Sequence, residues 1–100
     1  MYSKKEIMEM IKENRPDYLS NDYFFAYYNF KSGELNFCDD YEEDEHSFAI
    51  LINPKELSVE RAAEFIIRKI NNEYRARAKS EEIKSKNIIS MIYNMFSSKK

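Results

Sequence analysis

Apolar positions recur along the chain with two different periods, and the change of period marks the elements. Ile7, Met10 and Ile11 stand at helical spacing behind Ser3-Lys4-Lys5-Glu6, a tetrapeptide that fits a capping box. Pro16 forbids continuation, so the pattern predicts a helix over roughly 4–14. From Tyr23 to Phe30 the spacing becomes two. Phe24, Ala26, Tyr28 and Phe30 share one face, and Tyr23, Phe25, Tyr27 and Asn29 share the other. A strand with aromatics on both faces is expected to be central or covered on both sides. Lys31-Ser32-Gly33-Glu34 reads as a turn, with Gly33 free to take positive φ. Leu35–Tyr41 reads as a second strand and Ser47–Ile52 as a third, with Phe48, Ile50 and Ile52 on one face. The order suggests a three-stranded antiparallel meander.

Asn53-Pro54 ends the strand region, and Ser58 is a good N-cap. Val59, Ala62, Ala63, Ile66, Ile67, Ile70 and Tyr74 then follow the 3.6-residue period. Ser80-Glu81-Glu82 looks like a fresh N-cap, which predicts a last helix over about 81–96 with Ile88, Ile92, Met95 and Phe96 buried. The expected fold is therefore α+β: a helix, a three-stranded antiparallel β-meander and two C-terminal helices, in a single domain over residues 1–100.

Composition adds three points. A hydrophobic fraction of 43% and fifteen aromatics argue for a packed core rather than disorder. One cysteine, Cys38, leaves no internal disulfide, which fits a reducing compartment. No apolar run approaches the length of a membrane span, and none follows Lys4-Lys5 as a secretory signal would. A cytoplasmic protein is expected, and its Lys, Asn, Ile and Glu content suggests an AT-rich bacterial or phage genome.

The formal net charge of −2 conceals a segregation. Residues 1–54 carry five Lys/Arg against twelve Asp/Glu, a balance of −7. Residues 55–100 carry eleven against six, a balance of +5. The extreme is Asp39-Asp40-Tyr41-Glu42-Glu43-Asp44-Glu45, six carboxylates in seven residues between two strand patterns. Like charges so close repel, so a chain that keeps them invites a reading in which the charge is used. Presented on a hairpin, they would resemble the charge density of a nucleic-acid backbone and fit a Lys/Arg groove. Tyr41, with Tyr23 and Tyr27 nearby, would supply the amphipathic anchors that interfaces favour. The bland alternative is a solvated edge whose charges deter strand-on-strand aggregation.

Other chemistry is sparse. His46 is the lone histidine, and Cys38 lies eight residues before it, close enough in sequence for a thiolate–imidazole pair across a turn. A single glycine excludes every Gly-rich phosphate loop. The acidic run lacks the ligand spacing and central glycine of an EF-hand, so neither a metal nor a cofactor is expected. Arg68, Lys69, Arg75, Arg77 and Lys79, followed by Lys84 and Lys86, could line a phosphate-binding helix face, or could be a salt-bridged solvated one. A homodimer is a further option. The Tyr-rich strand faces and the Ile88, Ile89, Met91, Ile92, Met95 and Phe96 surface could exceed what one small core needs, and the simpler reading, which is preferred, is that they pack that core.

Two resemblances follow from element order. The helix–three strands–helix core is similar to the double-stranded-RNA-binding domain. That family's glycine-bearing, lysine-rich start to the last helix is missing here, because residues 53–61 hold one lysine, two glutamates and no glycine. In element order, size and acid density at residues 39–45 the chain resembles small phage-encoded anti-CRISPR proteins of the Cas9-inhibiting kind. That resemblance implies a protein partner with a basic nucleic-acid-binding surface, occupied by carboxylates as phosphate surrogates. The basic C-terminal half departs from a full-surface DNA mimic and leaves a local acidic face. Two other functions share the charge pattern: an immunity or antitoxin protein, and a nucleic-acid binder using the basic helices. An enzyme is not expected.

Overall fold

A computed structural model describes the backbone of residues 1–97 and the side chains of residues 1–79. Helix α1 (Lys4–Asn14) opens with the expected capping box, in which Ser3 accepts from the Glu6 N–H and Glu6 accepts from the Ser3 N–H. The chain then makes a single 3₁₀ turn at Tyr18–Ser20 that the sequence pattern did not announce. Strands β1 (Phe24–Asn29), β2 (Leu35–Cys38) and β3 (Ser47–Ile52) form one antiparallel sheet, and helix α2 runs over Val59–Ser97. The class is α+β.

Strand order is β2-β1-β3. Tyr28 pairs with Leu35 on one side and with Phe48 on the other. The expected meander is therefore corrected: β1 is the middle strand, and β3 pairs with β1 rather than β2. In the middle, β1 has a strand on either side, so its aromatics on both faces are flanked laterally by side chains of β2 and β3. The β1–β2 hairpin closes as expected, with Gly33 at φ 75° and the Asn29 side chain accepting from the Lys31 and Ser32 N–H groups.

One sheet face makes the core. Phe24, Ala26 and Tyr28 of β1, Leu35 of β2, and Ile50 and Ile52 of β3 pack with Ile7 and Ile11 of α1 and Ala62, Ala63, Ile66 and Ile70 of α2. Tyr18 is buried as well, and its hydroxyl donates to the Leu57 carbonyl at 2.7 Å. That bond ties the 3₁₀ turn to the segment before α2 and satisfies a phenol that would otherwise be costly to bury. Lys4 bridges the two helices, with Nζ 2.6 Å from Glu60 and 3.2 Å from Glu64.

Two C-terminal helices were expected, and one is found. Ser58 caps it, accepting from the Arg61 N–H, but Ser80-Glu81-Glu82 lies inside it. No glycine or proline occurs between Val59 and Ser97, and the run Arg75–Lys79 is made of strong helix formers. A serine within such a run costs only about 0.5 kcal/mol, too little to stop the helix. The chain divides into two units, Met1–Ile70 and Asn71–Lys100. The first holds the sheet, α1 and the core just described. In the second, Tyr74 is 41% exposed rather than part of a buried stripe, and Glu73 pairs with Arg77 one turn on. Ile88, Ile89, Met91, Ile92, Met95 and Phe96 lie outside the residues whose side chains are described. Among the described residues, no helix is long and apolar enough to cross a membrane.

Replacing Ile66, fully buried against the sheet, by Ala should cost about 2–5 kcal/mol in chemical denaturation. Leu51→Ala, at a position 54% exposed, should cost far less than that in the same experiment.

Candidate functional site: the acidic crossover

The strand order decides where the acidic run goes. Because β2 and β3 both run antiparallel to β1, they are parallel to each other and flank it. β2 ends at Cys38 opposite Phe25, while β3 begins at Ser47 opposite Asn29. Residues 39–46 must therefore recross the sheet along the length of β1, from the Phe25 end to the Phe30 end. That distance is about 16 Å, and eight residues can reach at most about 26 Å. A segment of that length needs no helix but has little slack. The acidic run is thus a crossover lying on the sheet, not the tip of a hairpin.

The crossover lies on the face opposite the core. Phe25 and Tyr27 of β1 point there, with Ala49 and Leu51 of β3. Tyr41 docks on this row: its ring centroid is 4.7 Å from that of Phe25 and 6.3 Å from that of Tyr27. The Tyr27 hydroxyl donates to the Glu42 carbonyl at 3.2 Å. Tyr23 extends the row, edge-on to Phe25 at 6.2 Å, and is 61% exposed. The outer face is therefore an aromatic ladder, half-covered by the acidic segment.

Local bonds hold several of the carboxylates. Asp39 takes the Arg15 guanidinium at 3.0 Å, and Arg15 also lies 5.0 Å over the Phe24 ring. Asp40 accepts from the Tyr41 N–H. Asp44 accepts from the His46 N–H at 2.7 Å and from the Ser47 hydroxyl at 2.8 Å, an arrangement that starts β3. These bonds, the hydroxyl's first, hold the Asp44 carboxyl below the usual carboxylate range. Glu45 lies 3.2 Å from His46 Nε2. Among the described residues, the Glu42 and Glu43 carboxylates meet no cation. All of residues 39–46 are exposed, and the side chains of Asp39 and Glu45 remain 82% and 84% accessible despite their partners. Part of the run thus serves the loop itself, while its charge still faces solvent.

Other sequence candidates separate. Cys38 and His46 stand at opposite ends of β1, so the thiolate–imidazole pairing is corrected: the crossover that links them in sequence keeps them a strand length apart. Cys38 Sγ faces the Phe25 carbonyl at 3.9 Å, and burial first, then Asp39, pushes its thiol pKa up. A raised pKa lowers the thiolate population that nucleophilic chemistry needs. Among the described residues, no three His, Cys, Asp or Glu side chains converge to hold a metal ion.

The basic candidates fall in both units. Arg68 and Lys69, in the first, both approach the Phe65 ring, at 5.4 and 5.3 Å. Arg75, Arg77 and Lys79 belong to the second, where Arg77 is taken by Glu73. Lys84 and Lys86 lie outside the described side chains. Beside the outer face, Tyr23, Leu51, Asn53, Glu56, Leu57, Phe65 and Arg68 line an open groove of about 590 Å³. Sequence reasoning singled out Tyr23, Tyr27 and Tyr41 but missed Arg15, which carries no local signal of its tie to Asp39.

No family model matches the chain, and no curated protein or solved structure matches it.

Tyr41→Ala should cost about 1–2 kcal/mol of stability, the edge-on aromatic contact plus lost apolar cover, by chemical denaturation with the far-UV spectrum retained. Asp44 gives a pH signature. Its folded pKa is depressed, so its contribution is fully present above the ordinary carboxylate range and is lost as pH falls through the folded value. The melting temperature of Asp44→Asn should therefore fall less than that of the wild type between pH 5 and pH 2, read by thermal melts across that window.

Proposed function

We propose that the protein is a binding module that inhibits a nucleic-acid-handling protein by presenting the acidic crossover to a basic groove. The observation that carries this reading is the pairing of charge with anchor. Six carboxylates are held in an exposed segment, and Tyr41, Tyr27 and Tyr23 lie beside them on one face. Clustered carboxylates meet Lys and Arg as phosphates do, and partly exposed tyrosines give apolar area with a polar tip at small entropic cost. Asp39 and Asp44 shape the loop, while Glu42 and Glu43 stay available to a partner. In this proposal the protein works as the small phage-encoded Cas9 inhibitors do, in the cytoplasm of a host cell. An immunity protein or antitoxin against a basic nuclease would use the same electrostatics.

A second reading, direct nucleic-acid binding by α2, has one observation in its favour. Arg68 and Lys69 flank an aromatic ring and are paired with no carboxylate among the described residues. Arg75, Arg77 and Lys79 are the candidates for the same reading within the second unit.

The test is affinity capture from a bacterial host extract with the wild type and with a Glu42→Gln, Glu43→Gln, Glu45→Gln variant. The proposal expects a nucleic-acid-binding protein that DNA or RNA displaces, with association slowed about 10-fold or more in the variant and by added salt. Equal capture by the neutralised variant overturns it. A salt-sensitive gel shift of free DNA or RNA, lost in Arg68→Ala/Lys69→Ala, would favour the second reading instead.

A further inference from the structure

The end of β3 and the first turns of α2 leave an open trough to which no residue of the acidic crossover contributes. Its wide part is the groove of about 590 Å³ beside the outer face, walled by Tyr23, Leu51, Leu57 and Phe65. A narrower depression of about 180 Å³ continues it, and the two share Leu57, Phe65 and Arg68. Arg61 and Glu64 complete the narrow part. Every one of these residues belongs to the first unit.

The two parts differ in chemistry. At 61% and 54% exposed, Tyr23 and Leu51 leave apolar surface open to solvent in the wide part. The backbone behind it is fixed: the Asn53 carbonyl accepts from the Glu56 and Leu57 N–H groups, and the Leu57 carbonyl takes the Tyr18 hydroxyl. Glu56 lines only the wide part. The narrow part is cationic. Arg68 lies over the Phe65 ring and pairs with no carboxylate among the described residues. Arg61 reaches Glu64 only at 4.0 Å, and Glu64 is already taken by Lys4 at 3.2 Å. Lys69 stands on the same Phe65 ring. An unpaired guanidinium beside exposed apolar side chains suits an anion with an apolar body.

We propose that this trough binds a protein segment carrying an apolar side chain beside a single carboxylate, the side chain against Tyr23, Leu51 and Phe65 and the carboxylate on Arg68 and Arg61. Charge selects that occupant over a nucleic-acid strand. Tyr23 is edge-on to Phe25, whose ring carries Tyr41, so the trough adjoins the acidic crossover. A strand with a phosphate at every nucleotide would meet Glu56 in the wide part and the crossover beyond it. One carboxylate in the narrow part meets neither. The chain's own pairing of an aromatic with a carboxylate, Tyr41 with Glu42, is seated on Phe25 and is not free to serve from a second copy. The site lies outside the crossover and stands or falls apart from the proposed function.

An amide NMR titration of the isotope-labelled full chain with N-acetylphenylalanine tests it, since that molecule joins one aromatic side chain to one carboxylate. Saturable shifts are expected at Leu51, Leu57, Phe65 and Arg68, with a Kd on the order of 1 mM, the strength a fragment of that size reaches. The uncharged N-acetylphenylalaninamide should bind about 5-fold more weakly. Arg68→Gln should remove that difference, while Leu51→Ala should weaken both molecules alike. Four results would overturn the site: absent or scattered shifts, equal binding of acid and amide, an acid preference that survives Arg68→Gln, or tighter binding of single-stranded oligothymidylate at the same resonances. Movement of those resonances with protein concentration alone would assign the trough to a second copy and overturn it too.

Discussion

The structure turns on the central position of β1. This strand carries Phe24, Ala26 and Tyr28 on one side and Phe25 and Tyr27 on the other, and in the middle of the sheet both sets are flanked by side chains of β2 and β3. Once β2 and β3 flank it, the chain between them has to pass over the sheet. Helices already fill the core face, so the crossing takes the outer one. Tyr41 is what lets a segment otherwise made of carboxylates lie on an apolar face, because its ring covers Phe25 while the backbone beside it accepts the Tyr27 hydroxyl. Arg15 fixes the start of the crossing through Asp39, and Asp44 fixes its end through His46 and Ser47.

This arrangement explains how a small domain tolerates such charge density. Repulsion among neighbouring carboxylates is offset one group at a time by a guanidinium, a hydroxyl, backbone N–H groups and an imidazole. Arg15 and Ser47 reach the run from outside it, the other partners belong to the loop itself, and the run stays exposed to solvent. The potential at the surface is therefore negative and local, bordered by tyrosines. Within the first unit, Arg68 and Lys69 sit on Phe65.

Much of the secondary structure was legible in the chain. The capping box at Ser3, the stop before Pro16, the two-faced pattern of β1, the Gly33 turn and the Ser58 cap each rest on short-range chemistry, and each is found. One failure was long-range and one local. Strand order depends on which neighbour buries more aromatic surface, which is a property of pairs rather than of segments. The break expected at Ser80 weighed one capping residue above a run of helix formers that outweighs it. For the site, residues 39–45 announced themselves by charge. Their placement across the aromatic face required the strand order, and Arg15 required the tertiary structure.

The central claim is that residues 39–46 lie across the outer face of β1 with Tyr41 seated on it. Nuclear Overhauser effects from the Tyr41 ring test this most directly. The account predicts cross-peaks from that ring to the rings of both Phe25 and Tyr27. Narrow Tyr41 resonances at random-coil shifts with no such cross-peaks, or direct β2–β3 cross-strand contacts, would contradict it.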